Sequence, residues 1–487
     1  MKSTYIYAGL MLLLLSIAGT GCKKQIEVSA PPTSVTGASV YSADAPAIAV
    51  LNGIYANISG SSPANTGSIP SVSLYAGLSA DELTLWSGIA PYFLNAAAYY
   101  QNDLSATPGY GSEFWSAIYP YIFSCNAAID GINGSGGLSP TVKQQLLGEA
   151  KFMRAFFYFY LVNMYGGVPM ALTGNFKSNS LLARSVASQV YQQIITDLHD
   201  AQKLLSANYL DATLLKNSPD RVRPTSWAAT ALLARVYLYT GNWVGADSAS
   251  SILINNSTLF SLSSLDTVFL RASISNNEAI WQLQPVLLSP SNTQDGLAFI
   301  IPETGFVTAG NVGVYLSDNL TNAFEAGDLR KTHWIGSIDI SDSTYYYPFK
   351  YKVNSTDAGI PVTEYYMLLR LGEQYLIRAE ARANEGDIPG AQADLDLIRA
   401  RAGLMGTTAS AKSDLISAIL QERRVELFSE LGQRWFDLKR TGTVDATMAV
   451  ITPQKTGGRP WNSYQQWYPV LVTDIQLDPN LQQNTGY

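Results

Sequence analysis

Residues 149 to 170 read Glu149-Ala-Lys-Phe-Met-Arg-Ala-Phe-Phe-Tyr-Phe-Tyr-Leu-Val-Asn-Met-Tyr-Gly-Gly-Val-Pro-Met170. The pattern predicts a helix through Met164. Phe152, Phe156, Phe159 and Tyr160 share their turns with Met153, Phe157, Tyr158 and Leu161, so more than one face is apolar and the helix must be buried on most sides. Gly166 and Gly167 suit a left-handed cap, and Pro169 blocks any continuation. Arg154 lies inside this apolar surface and requires an acid or carbonyl partner from another element, because an unpaired buried charge costs several kcal/mol. The helix is predicted to be a central packing column.

The chain of 487 residues exceeds the roughly 250 to 300 at which a single core stops growing, so two lobes or an extended array are expected. Net charge is −7 with 31 basic residues and no Lys/Arg cluster, which argues against a nucleic-acid partner. Aromatics with a polar tip suit wet binding surfaces as well as cores, so the 29 Tyr and nine Trp do not by themselves assign a site. Lys2, the apolar stretch centred on Leu10 to Leu15, and Ser16-Ile-Ala-Gly-Thr-Gly-Cys22 have the shape of a secretion signal. Residues 1–21 are therefore predicted to be a signal peptide. Cys22 is the expected lipidation site, although Gly19 stands where the usual lipobox prefers Leu, and 22–46 forms a polar, Pro-rich tether. Cys125 falls on the stripe Phe114, Ala117, Ile118, Tyr121, Ile122, Cys125, Ala128, Ile129 and reads as a buried, inert thiol.

Beyond the tether, a helix is expected from Ala45 to Asn57 and a loop over Gly60 to Ser73. In Ser79-Ala-Asp-Glu-Leu-Thr-Leu-Trp86 and the residues after it, acids, an amide and aromatics alternate without sustained helical order. Asp81, Trp86, Tyr92 and Asn95 are the binding candidates there. The Phe114 to Ile129 and Leu146 to Met164 helices form an antiparallel pair. A second pair follows, one helix capped by Ser185 and the next opened by Pro224-Thr225. The end of that second helix, Gly241-Asn242-Trp243-Val-Gly-Ala246, recurs as Gly386-Asp387-Ile388-Pro-Gly-Ala391. Helix, Gly turn, then a helix opening with small residues is the tetratricopeptide arrangement. Ser413 is expected to cap a helix running from Asp414 to Leu431. Between the two copies the pattern breaks into short apolar runs, with strands predicted at Glu278 to Gln284 and Tyr345 to Val353. The expected division is thus a helical region over 47–250 carrying binding loops, an irregular insertion lobe over 251–363, and a C-terminal helical region over 364–487.

Motifs for catalysis are missing. His199 and His333 have no metal-ligand spacing around them, and no nucleophile elbow, zinc-protease or phosphate-loop pattern occurs. A glycosidase needs two carboxylates at a set separation, whereas Asp81 and Glu82 are adjacent and need not face one substrate atom. No catalytic residue, cofactor or metal ligand is assigned. In Gln421-Glu-Arg-Arg-Val-Glu-Leu-Phe-Ser-Glu-Leu-Gly-Gln-Arg-Trp-Phe-Asp-Leu-Lys-Arg-Thr-Gly442 the charges interleave with Trp435 and Phe436. A paired Arg/acid network that locks this helix and the following turn is expected.

Three stretches resemble the SusD/RagB family of nutrient-binding surface lipoproteins. The first is the opening helix, with its acid, its Arg and its aromatics ending in Tyr-Gly-Gly-Val-Pro. The second is the Arg-Arg-x-Glu-Leu helix leading to Arg434-Trp-Phe-Asp-Leu-Lys-Arg-Thr-Gly442. The third is the terminus, Tyr468-Pro-Val-Leu-Val-Thr-Asp-Ile-Gln-Leu-Asp-Pro-Asn-Leu-Gln-Gln-Asn-Thr-Gly-Tyr487. Departures from the family pattern are Gln433, Asp478 and Thr485. The resemblance implies a mostly α fold: four tetratricopeptide-like helix pairs in a right-handed scaffold, with an irregular, loop-rich lobe containing a few short strands. It also implies a lipid-anchored, surface-exposed outer-membrane protein acting as a lid on a SusC-like TonB-dependent transporter, with oligosaccharides the usual cargo and peptides in some members. In position, Asp81 to Asn95 corresponds to a ligand-contacting region; Trp281, Tyr315 and Trp334 are further candidates from the irregular lobe. The expectation is a non-catalytic glycan-binding protein. A peptide binder, a glycoside hydrolase and a purely structural importer subunit are the alternatives.

Overall fold

The computed structural model describes residues 40–60, 68–107, 109–286, 292–306, 313–354 and 359–487. The expected signal peptide, Cys22 and most of the tether lie outside the described residues. The helical frame comprises α1 (Asp44–Ser59), α2 (Ser71–Ser79), α3 (Leu94–Tyr100), α4 (Glu113–Gly134), α5 (Pro140–Tyr165), α6 (Ala187–Leu204), α7 (Ser226–Tyr239), α8 (Trp243–Ile254), α9 (Leu371–Glu385), α10 (Ile388–Arg401), α11 (Lys412–Glu426) and α12 (Gln433–Arg440). From α4 to α10 each helix packs on the next, and α11 returns onto α9. The fold is mostly helical, with tetratricopeptide-like pairing.

The opening helix is as buried as its composition demands: every residue from Phe152 to Tyr165 is buried. Arg154 donates to both carboxylate oxygens of Asp197 on α6, at 2.8 and 2.7 Å, and to Asn126 on α4 at 2.9 Å. Glu149 is met in the same way by Arg223 at 2.7 Å. The helix stops at Gly166, which takes φ 77°. Gly167 has a separate reason to lack a side chain, since a Cβ there would lie 2.4 Å from the Ser185 carbonyl oxygen. The repeated turn is built the same way twice: Gly241 and Gly386 end their helices with φ of 70° and 91°, and Asn242 and Asp387 then cap the next helix. Each cap accepts from the backbone N–H of Gly245 or Gly390, at 3.0 Å in both copies.

Among the described residues, six strands of three or more residues decorate this frame: β1 (Leu83–Leu85), β2 (Ala279–Leu283), β3 (Val314–Leu316), β4 (Ile335–Ile340), β5 (Ser343–Pro348) and β6 (Tyr366–Arg370). They pair antiparallel as β1–β3, β2–β6 and the hairpin β4–β5. The predicted strand at Glu278 to Gln284 is present but buried along its whole length, so both of its faces are packed. Several boundaries differ from the sequence reading, among them the strand expected over Tyr345 to Val353, which runs from Ser343 to Pro348. Ser71–Ser79 is a helix, with every residue buried, and its first three residues fall in the stretch expected as loop; a segment enclosed on all sides shows no periodicity. Ser185 does not cap α6, because its backbone pairs with Val168 and the helix starts after Val186. α11 begins after Ala411, without a Ser413 cap, and ends at Glu426 rather than Leu431.

The charged C-terminal stretch forms the expected network, and it is buried. Glu426 sits fully enclosed at the end of α11 and receives Arg370 from β6 at 2.6 Å, Arg330 from the Leu329–Trp334 turn at 3.0 Å, and Arg401 from α10. Arg370 also reaches Glu278 at 3.0 Å and Glu430 at 2.8 Å, while Arg330 holds Asp328 at 2.8 Å and Glu422 at 2.6 Å. Burial alone would raise the Glu426 carboxyl, but Arg401, Arg370 and Arg330 hold it well below the usual carboxylate range. A second chain of pairs runs from Arg423 to Asp437 at 2.7 Å, on to Arg440 at 2.7 Å and then to Glu380 at 2.6 Å, tying α11, α12 and α9 together. Glu426→Ala is expected to lower unfolding free energy by about 3 to 5 kcal/mol, because it strands buried guanidinium groups. Removing the exposed Arg459–Asp103 pair should cost under about 1 kcal/mol. Urea denaturation of the two variants checks the contrast, and equal losses would contradict it.

Candidate functional site

The alternation of Glu82-Leu-Thr-Leu-Trp86 sets the geometry of the site. In a strand, successive side chains point to opposite faces. Leu83 and Leu85 are accordingly buried, and Thr84 and Trp86 are half-exposed. Opposite them, Val314 and Leu316 are buried and Tyr315 is half-exposed, with Thr84 paired to Tyr315 across the β1–β3 ladder. Trp86 N–H extends the ladder by donating to the Gly313 carbonyl at 2.8 Å.

An aromatic platform grows from this ladder. The Trp86 ring stacks on Phe306 with centroids 4.9 Å apart and planes 16° from parallel. Tyr345, from β5, meets Phe306 edge-on at 4.9 Å and Tyr315 at 5.0 Å. Phe306 is buried beneath, whereas Trp86, Tyr315 and Tyr345 keep part of their surface open. Tyr92, on the turn that follows Trp86, is 82% exposed, and Asn95 lies half-buried in the first turn of α3. Burial, together with the neighbouring Tyr100, Tyr345 and Asp318, pushes the Tyr315 phenol up to about 12, so it keeps its proton at neutral pH.

Of the seven candidates, the structure brings Trp86 and Tyr315 together, with Tyr92 and Asn95 on the adjoining turn and helix. The other three are placed elsewhere. Trp281 is fully buried against Phe152 and Phe156, with ring centroids at 4.9 and 5.2 Å, and its indole N–H donates to the Val222 carbonyl at 3.0 Å. Trp334 is fully buried, and its N–H donates to the Leu265 carbonyl at 2.8 Å. Neither ring has a face left for a ligand, so these two are corrected to core residues. Asp81 is corrected too: it is 4% exposed and committed to Arg434 at 2.8 and 2.9 Å and to Arg424 at 2.8 Å. Its carbonyl and that of Glu82 accept from the Ser317 hydroxyl at 2.5 Å and N–H at 2.9 Å, so the acid pair clamps the base of the ladder to the frame. Sequence reasoning missed Phe306 and Tyr345. The Tyr345-Tyr-Tyr347 run at strand spacing could have found the second; nothing distinguishes Phe306 from any other apolar residue.

Elsewhere, a cleft of about 370 Å³ between α1, the 210–223 segment and β2 is lined by Asn52, Tyr55, Asp211, Asp220 and Arg223. Its main charges are mutually engaged, Arg223 with Glu149 and Asp220 with Arg271. Among the described residues no group of three or more His, Cys, Asp or Glu side chains is placed to hold a metal ion, and no helix is long and apolar enough to cross a membrane. His199 is exposed and bonded to Gln202 and Tyr237, and burial pushes the Cys125 thiol up, which leaves it inert.

Comparison with known proteins agrees with the fold. The family profile described as "Starch-binding associating with outer membrane" matches residues 86–238, and that described as "SusD family" matches residues 272–487, together more than half of the chain. The chain belongs to the SusD/RagB family. It is 23% identical over 456 residues to SusD-like protein P25 of Formosa agariphila, covering 81% of this chain and 83% of that one. A solved SusD superfamily protein from Bacteroides vulgatus superposes with a TM-score of 0.76 at 19% identity, covering 91% of this chain and 99% of the other. Surface glycan-binding protein A from Bacteroides fluxus superposes with a TM-score of 0.74 at 22% identity, over 91% and 99% of the two chains.

The acid pair generates a pH prediction. Burial, reinforced by the Asp81 charge, pushes the Glu82 carboxyl up to about 8. For Asp81, burial opposes ionisation, but the hydrogen bonds and charge of Arg434, then the charge of Arg424, hold it below the ordinary value. The stability contributed by protonated Glu82 is thus present in full below the ordinary glutamate value of 4.5 and is lost as pH rises to about 8. Glu82→Gln, which mimics the protonated acid, should raise unfolding free energy at pH 8.5 by about 1 to 3 kcal/mol over the parent and change little at pH 5. Denaturant titrations at the two pH values measure this, and a pH-independent difference would contradict it.

Proposed function

We propose that this chain is a non-catalytic, lipid-anchored protein of the outer membrane. It binds an oligosaccharide on the Trp86, Tyr315, Tyr345 and Tyr92 surface and delivers it to a SusC-like TonB-dependent transporter. The observation that carries this reading is the platform itself: partly open aromatic rings, fixed from below by Phe306 and held on a rigid frame. Ring faces of this kind stack on the apolar C–H face of a pyranose, while Asn95 and the Tyr hydroxyls supply polar contacts at the edges. The structural relative from Bacteroides fluxus, a surface glycan-binding protein by name, points the same way. A binding role also suits the acid pair. Asp81 and Glu82 are 4% and 2% exposed, so they do not flank a scissile glycosidic bond as a hydrolase requires. Cys22, after the predicted signal peptide, is the proposed acylation site.

Affinity electrophoresis against laminarin, starch, xyloglucan, arabinoxylan, alginate and polygalacturonate tests the binding claim. At least one should retard the protein. Tyr92→Ala, at an exposed position, should keep the fold and weaken binding, and Trp86→Ala should weaken it by about 2 kcal/mol, roughly 30-fold. No retardation by any glycan, or catalytic release of reducing ends, overturns the reading. Cys22→Ser should move the protein from the membrane fraction to the soluble fraction and abolish fatty-acid labelling.

A further inference from the structure

The charge around the platform carries information about its ligand. No Lys or Arg occurs between Lys24 and Lys143 or between Arg271 and Arg330, the two stretches that supply Trp86, Tyr92, Asn95, Phe306 and Tyr315. The hairpin that supplies Tyr345 has none either, from Ile335 to Phe349. Acids, by contrast, are placed at the rim. Asp318 is exposed two residues after the β3 ladder and next in chain to Ser317, and its charge is felt at the Tyr315 hydroxyl. Asp342 is exposed at the hairpin tip, whereas Asp339, paired with Thr344 and accepting from its hydroxyl at 2.6 Å, is on the face of the hairpin opposite Tyr345. Glu303 is exposed on the segment leading into Phe306, where Gly305 approaches Ile340 of the same hairpin.

Among the described residues, five cations brought in by other elements are already engaged. Arg424 and Arg434 are bound to Asp81 beneath the ladder. Lys455 is buried and donates to the Leu78 and Ser79 carbonyls and to Asn102. Arg399 pairs with Glu325 at 2.6 Å, and Arg459 pairs with Asp103 at 3.2 Å. Lys331 belongs to the turn that feeds the hairpin base, at the opposite end from Asp339 and Asp342.

We infer that the platform takes an uncharged glycan and discriminates against carboxylated and sulfated ones, with Asp318 and Asp342 acting as the excluding groups. The inference rests on the glycan-binding reading above and narrows it to a substrate class. Its physical basis is that recognition of a polyanion requires cationic partners, bidentate arginines above all, and that like charges brought together at a binding surface oppose association. Stacking on aromatic faces, the interaction this surface does offer, is indifferent to charge.

The experiment takes whichever of laminarin, starch, xyloglucan or arabinoxylan retards the protein most and compares it with its own sulfated derivative. Both are measured at low salt, about 0.02 M NaCl, and at about 0.5 M, where screening shortens the reach of exposed charges. The sulfated form should bind about tenfold or more weakly at low salt, and the ratio should shrink severalfold at high salt. Combined Asp318→Asn and Asp342→Asn should shrink the low-salt ratio as well. Equal binding of the two forms, an unchanged ratio in the double variant, or retardation by alginate or polygalacturonate alone overturns the inference while leaving glycan binding intact. Failure of every glycan, neutral or acidic, removes both.

Discussion

Glu426 is the fixed point of this molecule. It lies wholly inside the protein, and the guanidinium groups that satisfy it arrive from β6, from α10 and from the turn before the β4–β5 hairpin. A carboxylate withdrawn from water is tolerated only when its charge and lone pairs are met, so each contributing element is constrained in distance and direction at once. Glu422 and Glu430, one turn on either side along the chain, repeat the demand with Arg330, Arg370 and Lys350. The net stabilisation from such a cluster is modest once desolvation is subtracted, but a misplaced member is heavily penalised. The cluster therefore fixes the irregular lobe against the paired helices more firmly than apolar packing, which is non-directional, could do alone.

The same logic operates on a smaller scale beneath the platform. Asp81 holds Arg424 and Arg434 from α11 and α12, and through Ser317 the Asp81–Glu82 backbone grips the start of the second platform strand. Glu82 is the counterpart whose carboxyl is pushed up, by burial first and then by the Asp81 charge beside it. An acid pair that looks like a candidate for chemistry is instead the foundation on which the exposed rings stand. Rigidity of this kind favours binding by rings whose positions are settled before the ligand arrives.

Much of the frame was legible in the sequence because its signals are local. The Phe152 to Tyr165 column, the Gly241 and Gly386 turns, the Thr225 cap and the interleaved Arg/acid stretch each announce themselves within a few residues. Elements enclosed on every side were harder. Ser71–Ser79 has no polar face to set a period, and Ser185 and Ser413 had the chemistry of a cap but not the position. The binding surface was half legible. Trp86 and Tyr92 stood out on a polar, aromatic segment, yet residue type could not tell Tyr315, which faces outward from a strand, from Trp281 and Trp334, which face the core. That distinction is set by register across a ladder whose partners are remote in sequence, and no single-sequence pattern encodes it.

The ladder has a bearing on how the protein comes into being. Asp81 and Ser317 are 236 positions apart, so in the order of synthesis the first platform strand waits for most of the irregular lobe before it finds its mate. Contacts of such long range close late, after nearby helices have already gained from docking on one another. The aromatic surface is therefore a finishing step of maturation. Chains released before Val314 would carry Leu83, Leu85 and Trp86 uncovered, an apolar strand edge inviting the self-association that quality control exists to intercept.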